Sequence, residues 1–168
     1  VSPTYAQEIL TPWFAHGLDG LLRDRQYKLC GIVNGIDLAS NDPATDKAMF
    51  HNFSVDSVGE RIENKRALQR QMGLEESNAM LIGIVTRLVS HKGVDLIQYI
   101  FEDMMKLDVQ IVLLGSGDQV YEDFFRAMQG RYPGRVSSTI GFIPDLAKKI
   151  YGSTDAFLMP SKSEPCGL

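Results

Sequence analysis

Short runs rich in β-branched and apolar residues alternate along this chain with segments whose apolar residues recur every three or four positions. That order is the pattern of a parallel sheet covered by helices. The strand candidates fall at residues 29–33, 80–86, 109–114, 136–140 and 156–159. Between the second and third, GVDLIQYIFEDMMKL puts Ile97, Ile100, Phe101 and Met104 on one helical face. After the third, Asp118 is placed to cap a helix whose Tyr121, Phe124, Phe125 and Met128 face inward and which stops at Gly130. Core packing accounts for these aromatic and methionine side chains without a ligand. The expected class is α/β, a parallel sheet with helices on both faces.

The stretch from Ile36 to Glu60 breaks the rhythm. It carries NDPATD with turn chemistry and then HNFSVDSVGE, before a polar helix through RIENKRALQRQMG that ends at Gly73. Residues 36–60 therefore read as a connection between two lobes, with 1–35 as the tail of one lobe and 61–168 as the larger part of another.

Composition limits the partners. Net charge is -4, from 17 basic and 21 acidic residues with no long block of one sign, so neither a nucleic acid nor an anionic membrane is expected as a partner. Any anionic ligand must be met by a few placed groups. Cys30 and Cys166 form no disulfide framework, and His16, His51 and His91 lie far apart, so a structural metal is not expected. The sequence lacks an unbroken apolar stretch of the ~18 residues that a membrane span needs. The opening VSPTYAQEIL is not a signal peptide. A cytoplasmic protein is the expectation, and the start at Val suggests a fragment.

The polar candidates gather at strand ends. The strand LIGIVT runs into Arg87, and Lys92 follows beside Gly93 just before a helix. In a doubly wound sheet ligands bind outside the carboxyl ends of the strands, so both cations flank that edge. An Arg fork with a Lys charge suits a diphosphate and could replace a metal; the alternative is two solvated side chains. Gly115-Ser116-Gly117 after the third strand either lets backbone approach a ligand or makes a tight turn, and Val120 denies the full G-x-G-x-x-G. Phe142, after Gly141, offers a ring either to a nucleotide base or to a neighbouring helix. Glu164 in SKSEPCGL is either a carboxylate within reach of a sugar or a surface residue before proline.

The motifs VSPTYAQEI, GIVNGID, NDPATD, TRLVSHKGVDL, VQIVLLGSGD, RYPGRV, DAFLMPS and EPCGL stand in this order over almost the whole chain. Together they resemble glycosyltransferase family 5, the bacterial glycogen synthases and plant starch synthases. The resemblance implies a GT-B architecture, two Rossmann-like lobes facing a cleft, of which this chain would hold an incomplete C-terminal lobe. It implies transfer of glucose from ADP-glucose to the nonreducing end of an α-1,4-glucan, with retention and without a bound metal.

By the same resemblance Arg87 and Lys92 look like the pair that holds the diphosphate, and Glu164 like the acidic residue needed for transfer. Cys166, Gly167 and Leu168 look like a turn against sugar and phosphate, with Asn34 a further donor contact and Gly117 and Phe142 on the nucleotide side. Phe142 stands where relatives often have Tyr, and Lys162-Ser163 replaces a common Arg-Phe. A plastid location is implied if the parent is a plant enzyme. The fragment alone is expected to be inactive and to self-associate. The rival readings are a non-catalytic nucleotide-sugar or glucan-binding module, a flavodoxin-like or receiver-type domain, and a related transferase that uses a UDP-sugar.

Overall fold

The computed structural model describes residues 1–167, and the chain divides into two compact units, 1–37 with 162–168 and 38–161. In the first unit, helix α1 (Pro3–Glu8) begins where the Ser2 hydroxyl accepts from the Tyr5 amide at 3.0 Å, with Pro3 preset for the first helical position. Helix α2 (Asp19–Asp24) follows, and a 3-10 turn at Gln26–Lys28. Residues 29–33, expected as a strand, are not one. Their backbone finds a single partner of that kind, Ile32 N–H to Val1 O at 2.7 Å, and a β-branched run without a ladder to join stays irregular.

The second unit holds a four-stranded parallel sheet in the order β3-β2-β1-β4. Its strands are β1 (Met80–Val85), β2 (Val109–Gly115), β3 (Val136–Ile140) and β4 (Ala156–Phe157). The last is shorter than the expected 156–159. Leu158 N–H still reaches Gly83 O at 2.9 Å, but Pro160 has no N–H to continue the ladder. Its helices are α3 (Arg61–Gln71), α4 (Val94–Met104), α5 (Gln119–Arg131) and α6 (Pro144–Ser153). Among the described residues no helix is long and apolar enough to cross a membrane.

Strand alternation sorts the core into two layers. Ile111 and Leu113 of β2 point to one face, where they meet Ile97 and Phe101 of α4 and Tyr121 and Phe125 of α5. Val112 and Leu114 point to the other, against Leu68 of α3 and Leu146 and Ile150 of α6. Phe101 sits edge-on to Phe124 and Phe125, with centroids 5.3 and 6.2 Å away. Of the face expected on α4, Ile97 and Phe101 are buried and Met104 is half-buried, but Ile100 is 42% exposed. The α5 helix does not stop at Gly130. It runs to Arg131, and the chain reverses at Gly134, whose φ is +76°.

The segment from Leu38 onward is bound into this second unit. Asn64 of α3 pairs with His51 through both its amide and its carbonyl, and Lys148 of α6 holds Asp46 at 2.9 Å. Helix α3 is polar in sequence yet buries Asn64, Lys65 and Gln69.

Candidate functional site

The carboxyl ends of β1, β2 and β3 open onto a cavity of about 190 Å³. Its walls come from three loops and one helix: Thr86 and Arg87 after β1, Ser116 after β2, Phe142 and Ile143 after β3, and Ala147 of α6. The order of the sheet explains why a cavity lies here. From β1 the chain moves outward to β2 and β3 and then returns to lay β4 on the other side of β1, so α4 and α5 cover one face and α6 the other. The loops after β1, β2 and β3 all leave at this one end of the sheet, where ligands of open α/β sheets bind.

The loops are fastened to each other by backbone. Leu88 N–H donates to Ser116 O at 2.9 Å, and Asp118 N–H donates to Leu88 O at 2.8 Å. Gly141 N–H reaches Gly115 O at 2.9 Å. These contacts give both glycines of Gly-Ser-Gly a structural reason. A Cβ at 117 would stand 2.3 Å from Leu88 O, and one at 115 would stand 2.0 Å from Thr86 O, so both glycines are required by the neighbouring loop. The Gly117 N–H is itself donated to Glu122 Oε1 at 3.0 Å.

Arg87 and Phe142 share the cavity wall. Phe142 is 88% exposed, so its ring is presented outward. The Arg87 side chain is also exposed, with Nη2 3.4 Å from His91 Nε2. Lys92 closes a 3-10 turn, Ser90–Lys92, and is half-buried. Gly93 then takes φ of +74° and turns the chain into α4; a Cβ there would stand 2.1 Å from Pro160 O. Both cations thus precede a helix N-terminus on the ligand edge, where the helix dipole also favours an anion. A guanidinium beside an open ring and an apolar slot suits a planar group that carries negative charge.

The other expected residues lie in the first unit. There Asn34 and Cys166 meet, with Asn34 N–H donating to Cys166 Sγ at 3.3 Å, and Ser2 N–H holds Pro165 O at 2.7 Å. Glu164 is half-buried and Gly167 exposed. Leu168 lies outside the described residues. Asp118, expected to cap α5, occupies the cap position but makes no capping bond with its side chain. Sequence reasoning missed Thr86, Ser116 and Ile143 as cavity walls. Each directly follows or lies near a strand end, which was the available signal.

No family model matches the chain. It is 48% identical over its full length to the glycogen synthase of Desulforudis audaxviator and 49% identical to that of Pseudothermotoga lettingae. To the glycogen synthase of Clostridium acetobutylicum it is 50% identical. The chain spans only 34 to 35% of the length of these curated relatives. Among solved structures, it is similar to the catalytic domain of starch synthase IV from Arabidopsis thaliana, bound to ADP and acarbose. There the TM-score is 0.90 and the identity 38%, over all of this chain and 35% of that one.

Proposed function

We infer, for a chain that belongs with the glycogen and starch synthases, that it forms the donor-nucleotide side of a retaining glucosyltransferase. The whole protein would place two Rossmann-like lobes about a cleft and move glucose from ADP-glucose to the nonreducing end of an α-1,4-glucan. The bond from the anomeric carbon to the diphosphate breaks, one to the acceptor hydroxyl oxygen forms, and the hydroxyl proton is released with the diphosphate. Negative charge grows on the leaving diphosphate, and Arg87 and Lys92 are the groups that would meet it. Their charge takes the part that a metal plays in other nucleotide-sugar enzymes, so none is needed in this reading. Phe142 would stack on the base, with the Gly117 loop beside it. Glu164 would act on the donor sugar and offset positive charge at the anomeric carbon, with Asn34, Cys166 and Gly167 as further donor contacts.

The observation that carries this reading is the convergence of Arg87 and the outward Phe142 ring on one cavity at the carboxyl end of the sheet. The structural similarity to a starch synthase domain bound to ADP supports it. Full-length protein given labelled ADP-glucose and glycogen should incorporate glucose. The 168-residue chain alone should show no incorporation above a protein-free control. Inability of the full-length protein to use ADP-glucose would overturn the donor assignment, and elongation by the isolated chain would overturn the need for a second cleft wall.

A further inference from the structure

Helix α5 is held at its start in an unusual way. A capping box sends a side chain three residues into the helix back to the N–H of the cap residue. Here the cap residue is Asp118, and its N–H is already donated to Leu88 O at 2.8 Å. The carboxylate of Glu122 instead reaches one residue further back and accepts the Gly117 N–H at 3.0 Å. Its other oxygen is gripped by Arg126 at 2.9 Å, and the side chain is only 12% exposed. Arg126 is fixed in turn on Asp123 at 2.8 Å.

The loop that Glu122 holds, after β2, is bonded to the loop after β1 that carries Arg87. Gly117 is bridged to Leu88, whose N–H takes Ser116 O, while Thr86 N–H takes Leu114 O at 3.2 Å. Both residues flanking Arg87 are therefore bonded to the end of β2 or its loop. The Arg87 guanidinium is exposed and meets His91 Nε2 at 3.4 Å, so its reach follows from the backbone that carries it.

We propose that Glu122 is a positioning residue: by fixing Gly117 it sets the backbone from which Arg87 meets a nucleotide diphosphate. The proposal rests on the assignment of Arg87 to that anion. It differs from a plain helix-stabilising role in what it requires of the side chain. A carboxylate that only favours the helix N-terminus keeps its effect as Asp and loses it as Gln. A carboxylate that must reach Gly117 N–H keeps its effect as Gln, which has the length and an accepting oxygen, and loses it as Asp, which is one methylene shorter.

The test is ADP titration of the full-length protein by calorimetry, with melting curves alongside. Glu122→Gln should bind ADP within about 3-fold of the unaltered protein, and Glu122→Asp should bind about 10-fold more weakly, a loss in the usual range for one charge-assisted contact. Equal binding by Glu122→Asp and the unaltered protein overturns the proposal. So does loss of binding by Glu122→Gln, which decides the matter even if Glu122→Asp fails to fold. Absence of ADP binding by the unaltered protein is a different result, because it removes the nucleotide reading of the Arg87 site.

Discussion

The two ends of the sheet in the second unit treat polar side chains in opposite ways. At the amino end they are consumed. Lys65, 6% exposed, donates to Ala79 O at 2.7 Å and to Asp155 at 2.6 Å, and the same Asp155 oxygen accepts Leu81 N–H at 2.7 Å. Gln69 donates to Gln110 at 2.7 Å, and Gln110 donates to Glu75 O at 2.7 Å. Arg135 spreads its guanidinium over the carbonyls of Met105, Leu107 and Val109. At the carboxyl end the loops are joined to each other through backbone bonds, and the Arg87 and Phe142 side chains are left outward. Helix polarity accounts for much of the contrast. Helices of a parallel sheet end beside the starts of strands and expose carbonyls there, which cations satisfy, whereas helix N-termini gather at the other end and favour an anion from outside. One end holds the fold together, and the other is available to a ligand.

The largest expected separation between the two ends comes from their cations. If the proposed reading holds, Arg87→Ala or Lys92→Ala in the full-length protein should slow transfer by on the order of 10² or more, because each group would meet charge that develops on the leaving diphosphate. For Arg87→Ala, whose side chain is exposed, the melting temperature should barely move. A loss confined to KM, with turnover at saturation intact, would mean uniform ground-state binding instead.

At the amino end the effects should reverse. Gln110→Leu leaves Glu75 O and a Gln69 amide hydrogen short of partners in a buried layer, which costs about 2 kcal/mol of stability. Urea denaturation measures it. ADP affinity of the folded fraction should be unchanged, and a matching loss of affinity would show that the two ends are coupled.

Phe142→Ala sharpens the contrast from the other side. The ring is exposed, so stability should stay within about 0.5 kcal/mol, as for most surface substitutions. ADP should bind about 10-fold more weakly if the ring stacks on the base, since base–aromatic stacking is worth roughly 1–3 kcal/mol. Unchanged affinity would remove Phe142 from the site.

The smallest effect belongs to neither end. Lys148 at 2.9 Å, followed by the Ala48 N–H, holds the Asp46 carboxyl below its ordinary value of 3.8. A folded value below the unfolded one adds stability that is present above the ordinary value and lost as pH falls through the lowered one. Asp46→Asn should therefore cost about 0.5 kcal/mol at pH 7 and progressively less below about pH 4. A difference in melting temperature that persists at the lowest pH would assign the effect to packing rather than charge.

Much of this molecule was determined by local sequence. Strand runs at 80–86, 109–114 and 136–140 and the inward residues of α4 and α5 follow from period and composition, because burial on a sheet face leaves an apolar imprint. Placement of Arg87 and Phe142 at the ligand edge follows from the rule that loops after parallel strands share one end. What tertiary structure alone decided are matters of partner. Residues 29–33 have strand composition and no ladder to enter. Lys65 and Gln69 stand on a helix that reads as polar, and contacts that include Asp155 and Gln110, residues 90 and 41 positions away, make their burial tolerable. The sequence leaves Gly117 open between ligand approach and a tight turn, and only the fold places Leu88 O against it; Glu122 reads as an ordinary first-turn carboxylate until the loop it fixes is seen to be bonded to the one that carries Arg87. A sequence records what each side chain requires, but a hydrogen bond or a close approach between distant segments exists only when the fold brings them together.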